Sequence, residues 1–224
     1  MLCKIADLIA EVPQAGGLAS RCREYRCDDD VTPDITIDEM VYRTDRYPQG
    51  TNPDMIAYME SASQFYARLI EFGGFYLHAS AVVLDGKAYL FSGHSTAGKS
   101  THTRLWQEVF GPDVRVINDD KPALRKIDGV WYAYGTPWCG KDGINLNERA
   151  PVAGVCFMKK APDNCIRRLS KTEALQMILG QTIWKLLSLE QMDQLITALD
   201  DFLRMVPVYE LENRPEPRSE EAHV

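Results

Sequence analysis

Gly93-His94-Ser95-Thr96-Ala97-Gly98-Lys99-Ser100 matches the pattern G-x-x-x-x-G-K-[ST] at every fixed position. The glycines let the backbone curl so that successive N–H groups face phosphate oxygens, and the positive end of a following helix adds to that field. Lys99 is placed to reach the β- and γ-phosphates, and the Ser100 hydroxyl to reach Mg2+. The flanks fit the motif. The apolar run Ala88–Ser92 reads as a strand entering the loop, and Thr101–Phe110 as a helix leaving it. Residues Gly93 to Thr101 are therefore expected to bind the phosphates of ATP. The structural alternative is a glycine-containing turn that happens to precede a lysine.

A phosphate loop of this kind needs an acidic partner for its metal at the end of a neighbouring strand. Val114–Ile117 reads as a buried strand, and Asn118-Asp119-Asp120 follows it. Asp120 is the expected metal ligand and Asp119 the expected general base; sequence alone allows the two to exchange. The same three residues also suit a polar turn leaving a strand. Upstream, His78 sits in the otherwise apolar run Phe75–Leu84, joined to the loop-entering strand by Asp85-Gly86, a preferred hairpin dipeptide. His78 is either a core histidine or a group that handles protons in the site.

Further out, Asn52-Pro53 supplies a cap and a first-turn proline for a helix over residues 53–72. Ala123–Ile127 and Val130–Tyr134 read as a hairpin around Asp128-Gly129, and Val152–Met158 as a further strand. The last third is expected to be helical, with capping boxes at Ser170-x-x-Glu173 and Ser188-x-x-Gln191, before a strand at Val206–Leu211 and a polar tail over 213–224. Residues 1–50 read as a β-rich accessory segment with short strands at Lys4–Val12, Asp34–Ile37 and Met40–Arg43. The expectation is one domain over 1–212, its phosphate-loop core and C-terminal helices spanning 51–212.

A formal charge of −7 offers no basic field to displace counterions, which argues against nucleic acid as a partner. The cluster Asp28-Asp29-Asp30 reads as a solvated turn. No apolar run approaches the roughly 20 residues that span a bilayer, and the first ten residues lack the layout of a secretory signal. A cytoplasmic protein with no membrane partner is the expectation. The six cysteines lack metal-site spacing and read as free thiols.

The segment from Leu77-His78 through Gly93–Ser100 to Asn118-Asp119-Asp120 resembles the kinase domain of HPr kinase/phosphorylase, most strongly over residues 75–160. That resemblance implies an α/β fold with a mixed sheet, shared with ATP-dependent phosphoenolpyruvate carboxykinase. It implies transfer of the γ-phosphoryl group of ATP, with Mg2+, to a hydroxyl, such as a serine of a small protein or peptide. It implies further that His78 pairs with Asp119 to deprotonate the acceptor while Asp120 and Ser100 hold the metal. Because relatives of that family often assemble, it also implies a homo-oligomer. His94 and Thr96 stand where an acidic residue and a glycine are common in the family, and Tyr134-Gly-Thr-Pro-Trp-Cys-Gly140-Lys141 replaces the arginine-containing segment tied to phosphorylase activity. In that stretch Lys141 is expected to face the transferring phosphate and Trp138 an adenine or a peptide, unless it is a rigid turn. His102 and Thr103 read as helix-surface or packing residues. A small-molecule kinase, a carboxykinase-like lyase and a non-catalytic ATP-sensing module are the competing readings.

Overall fold

The computed structural model describes residues 1–14, 16–27 and 31–214; Asp28-Asp29-Asp30 and the tail from 215 onward lie outside the described residues. The chain opens with a hairpin of β1 (Leu2–Ile5) and β2 (Leu8–Glu11), whose turn residues Ala6 and Asp7 both have positive φ (53° and 59°). The expected strand Lys4–Val12 is thus two strands with a left-handed two-residue turn between them, a geometry that follows the twist of paired strands. A short helix, α1 (Gly16–Arg21), follows, and β3 (Ile35–Thr36) joins β2 in parallel to complete a three-stranded sheet.

Met40–Arg43 is not a strand. Residues Glu39–Val41 form a 3-10 turn, because the Asp38 carboxylate accepts from the Met40 N–H (2.8 Å) and Gln64 Nε2 donates to the Asp38 carbonyl (2.9 Å). A local side-chain acceptor of this kind competes with strand pairing. The turn is anchored by buried Glu60, which accepts from the Arg43 N–H and the Tyr47 hydroxyl, both at 2.9 Å.

Helix α2 (Pro53–Leu69) begins where Asn52 caps it and buries Phe65, Tyr66 and Leu69 against the small sheet. The apolar run 75–84 then breaks in two, β4 (Gly74–Tyr76) and β5 (Ala79–Leu84). The break falls at Leu77-His78 because the halves pair with different strands and the linking N–H groups are drawn elsewhere. The His78 N–H goes to the Gln181 carbonyl (2.8 Å) and the Ala79 N–H to the Asp120 carbonyl (3.1 Å). Both halves are buried, so their apolar residues run on without a visible gap.

The remaining elements are β6 (Lys87–Ser92), α3 (Lys99–Phe110), β7 (Arg115–Asn118), β8 (Ala123–Ile127), β9 (Val130–Tyr134), β10 (Arg149–Lys160), β11 (Cys165–Arg168), α4 (Lys171–Leu179), α5 (Leu189–Met205) and β12 (Val208–Asn213). Both capping boxes form as expected, at Ser170 and Ser188. β11 was not legible beforehand, since all four of its residues are exposed and show no alternation. Asn213 belongs to β12, so the polar tail starts later than its composition suggests.

These strands form one nine-stranded mixed sheet in the order β4-β8-β9-β10-β6-β5-β7, with β12 beside β10 and β11 beside β12. β6, β10 and β12 are parallel, while β5 runs antiparallel to both β6 and β7. β7 therefore points the same way as β6. Period-2 alternation divides the sheet's side chains between two layers. Ala81, Val83, Leu90 and Phe157 face α4 and α5, whereas Val82, Phe91, Val116 and Met158 face α3. On α5 the residues Leu195, Leu199 and Phe202 have no exposed surface, each worth roughly 2 kcal/mol in burial. The molecule is a mixed α/β fold. No helix among the described residues is long and apolar enough to cross a membrane, and none of the six cysteines forms a disulfide.

Candidate functional site

Four strands end at the same edge of the large sheet, and the antiparallel β5 begins there. Ligands of open α/β sheets bind outside the carboxyl ends of strands, where loops converge without blocking one another. The loop from Gly93 to Gly98 leaves β6 at this edge and enters α3 at Lys99. Gly93 has φ 141°, and a Cβ there would lie 2.9 Å from the Met158 carbonyl oxygen, so only glycine lets the loop start against β10. Thr96 is held at φ 71°, a left-handed backbone that a threonine adopts at a cost of roughly 1 kcal/mol. Lys99 Nζ donates to the carbonyls of Gly93 (2.9 Å) and His94 (3.3 Å), which holds its ammonium across the mouth of the loop. Burial lowers the Lys99 pKa, and the charges of Asp120 and Asp119 pull against that shift.

Asn118 shapes the neighbouring strand end. Its Oδ1 accepts from the N–H groups of Asp120 (2.9 Å) and Lys121 (2.7 Å), and its Nδ2 donates to the Thr136 carbonyl (3.0 Å). This fully buried amide turns the chain so that both aspartates line the cleft containing the phosphate loop. Asp120 is the tightly held one. Its Oδ1 lies 3.2 Å from His78 Nε2, while its Oδ2 meets the Lys121 ammonium and lies 3.4 Å from the Tyr58 hydroxyl. Burial pushes the Asp120 carboxyl upward, but the His78 hydrogen bond and the Lys121 charge outweigh it and hold the group down at about 2. Asp120 is thus a carboxylate at any physiological pH.

Asp119 differs. Its Oδ1 is buried and has no hydrogen-bond partner among the described residues. An orphaned carboxylate oxygen in a cleft is costly and is the kind of atom that a cation or a donating ligand satisfies.

The resemblance implied a pairing of His78 with Asp119, but the histidine bonds to Asp120 instead. Asp120 lies across from His78 because the Ala79 N–H grips the Asp120 carbonyl at the break between β4 and β5. His78 Nδ1 lies 3.0 Å from Gln181 Oε1, so both ring nitrogens are engaged. His78 is also in the connection between two strands and not within one.

A cleft of about 1020 Å3 brings together His78, Ser95 to Thr101 including Lys99 and Ser100, Asp119, Asp120 and Lys141. Gly93 and His94 line a smaller cavity on the other face of the same loop. Trp138 is not in the cleft. It has no exposed surface, its ring centroid lies 4.7 Å from that of Phe65, and its Nε1 donates to Ser61 Oγ (3.0 Å). The expectation that it meets an adenine or a peptide is overturned, because the turn 135–140 folds the indole inward under α2. Gly135 permits that fold; a Cβ there would lie 1.9 Å from the Leu146 carbonyl oxygen.

His102 and Thr103 pack as expected. The Trp106 Nε1–H donates to His102 Nε2 (3.2 Å), the His102 ring lies 4.5 Å from that of Phe91, and Thr103 is buried. Tyr58, Lys121 and Gln181 were missed as site residues. Lys121 could have been flagged by its place beside the aspartates, whereas Tyr58 and Gln181 carry no signal in the sequence.

No protein-family model matches the sequence, and neither does any curated protein. Among solved structures, the HPr(Ser) kinase/phosphatase from Coxiella burnetii is similar to this chain at 15% identity and a TM-score of 0.36, over 64% of this chain and 82% of that one.

Proposed function

We propose that the protein is an ATP- and Mg2+-dependent phosphotransferase that moves the γ-phosphoryl group to a hydroxyl, the acceptor being a serine of a small protein or peptide. The observation that carries this reading is the convergence of a Walker-type loop, its lysine and two aspartates in one cleft.

The residues present fit both ligands. The loop N–H groups and Lys99 suit a polyphosphate. An ionised Asp120 with the Ser100 hydroxyl suits Mg2+, which takes few protein ligands and keeps its remaining positions for phosphate and water. Held by Asp120 and Ser100, the ion would supply positive charge to offset that of the phosphates.

Asp119 receives the proton of the acceptor hydroxyl on its unpartnered Oδ1 as the acceptor oxygen bonds to phosphorus and the bond to the β-phosphate breaks. His78 is a positioning residue that orients and charges Asp120, in place of the direct role the resemblance implied. Catalysis then consists of alignment and charge neutralisation. The cleft, at about 1020 Å3, lies at the upper end of small-molecule sites and has room for an acceptor side chain beside the nucleotide. The serine acceptor itself rests on the sequence resemblance.

The test is transfer from labelled ATP to candidate serine peptides with wild type, Lys99→Ala and Asp119→Asn. Loss of ~10²–10⁴-fold in each variant is expected. Unchanged transfer in both would sink the assignment.

A further inference from the structure

We propose that the β10–β12 flank of the same cleft is an adenine pocket, in which Leu105 and Leu211 cover the base and Asn213 Oδ1 accepts a hydrogen bond from its exocyclic amine. This rests on the reading that the loop 93–100 holds the phosphates of a nucleotide.

The strand order supplies the direction. β7 lies two strands from β6 on one side, through β5, and β12 lies two strands from β6 on the other, through β10. At roughly 4.8 Å per strand, each flank is about 10 Å from the phosphate loop. The two carboxylates that would serve the metal and the acceptor sit on the β7 side, so the terminal phosphate must point there. The nucleoside consequently leaves the loop toward β10 and β12.

That flank has the surface a purine needs. Leu105, on the second turn of α3, is 49% exposed, and Leu211 of β12 is half-buried beside the cluster of Phe91 and Met158; both line the cleft. Between an apolar wall and solvent a planar base is held by dispersion and loss of water. Asn213 lines the same wall, and its Oδ1 is a buried acceptor with no donor among the described residues. Adenine presents an N–H donor at its exocyclic position, whereas guanine presents a carbonyl oxygen there. An acceptor placed at the exocyclic position therefore favours adenine over guanine. Trp138, the aromatic residue that sequence alone suggests for this task, is sealed in the core and cannot compete.

The experiment is calorimetric titration of the full chain with ATP, GTP and inorganic tripolyphosphate, each with Mg2+. Wild type is expected to bind ATP about 10-fold or more tightly than either other ligand, one hydrogen bond and an apolar contact being worth that much. Asn213→Leu should bring ATP to the level of GTP with tripolyphosphate unchanged, and Asn213→Asp, which keeps only the acceptor, should keep the preference for ATP. Leu105→Gln, at an exposed helix position that does not threaten folding, should weaken ATP and GTP but not tripolyphosphate. Equal binding of all three ligands to wild type, or an Asn213→Leu protein that still prefers ATP, overturns the adenine pocket while leaving the phosphate loop in place. If none of the three binds, the phosphate-loop reading itself fails and the pocket with it.

Discussion

The two flanks of the phosphate loop are built on one sheet edge but by opposite means. On the β7 side, polar groups hold one another in fixed positions: His78 and Lys121 fix Asp120, Asn118 fixes the turn beneath it, and Gln181 fixes the imidazole. On the β12 side the wall carries Leu105, Leu211 and the Asn213 amide, whose acceptor is unused among the described residues, with Lys160 and Arg214 lining the same cleft. Preorganised charge is what a transition state with developing charge requires, since groups already in place need no reorganisation when the bond breaks. A flat, neutral base needs only cover and one directed acceptor. Under the proposed function the difference separates chemistry from recognition: changes on the first flank should alter turnover, and changes on the second should alter which nucleotide binds.

That separation can be broken by experiment. The largest expected effect is from Asp120→Asn, which removes the held charge; transfer should fall by ~10³-fold at saturating Mg2+ while the ratio of ATP to GTP affinity stays fixed. A changed nucleotide ratio would mean that the flanks are not independent. His78→Gln should reduce kcat by about 10- to 100-fold with KM for ATP nearly unchanged. Its loss should not add to that of Asp120→Asn in a double-mutant cycle, because the histidine acts through the aspartate. Full additivity would instead give His78 a role of its own.

Trp138→Phe should lower the unfolding free energy by about 1–3 kcal/mol in denaturant titrations, through a cavity and the lost bond to Ser61, with ATP affinity within about twofold of wild type. A larger affinity change would return the tryptophan to the site. The smallest effect is expected from Thr96→Gly. Relief of the left-handed backbone is offset by the entropy of a freer unfolded chain, leaving a net stabilisation of a few tenths of a kcal/mol up to about 1 kcal/mol, read as a rise in Tm.

Much of the framework was legible because it is written in contiguous residues. The Asp-Gly hairpins at 85–86 and 128–129, the cap at Asn52, the two capping boxes and the glycine-rich loop between β6 and α3 all depend on groups within a few positions of one another. Where pairing depended on distant chain, the reading went astray. The run 75–84 looked like one strand because both halves are buried, and only their separate partners divide it. Met40–Arg43 looked like a strand by composition, yet the Asp38 carboxylate turns it locally. β11 gave no pattern because neither of its faces is buried.

The sequence by itself determined that a glycine-rich loop ending in Lys99-Ser100 lies between a strand and a helix, with aspartates at a following strand end, because backbone curvature and helix polarity there are set by adjacent residues. Only the tertiary structure decided that His78 contacts Asp120 and not Asp119, that Trp138 is core, and that Leu211 and Asn213 flank the loop opposite the carboxylates. Those relations join residues 42 or more positions apart by number, for His78 and Asp120, and more than 110 for Lys99 and Asn213. Such distances are closed by strand order and register, which are fixed by the burial of the whole sheet and not by any local stretch of chain.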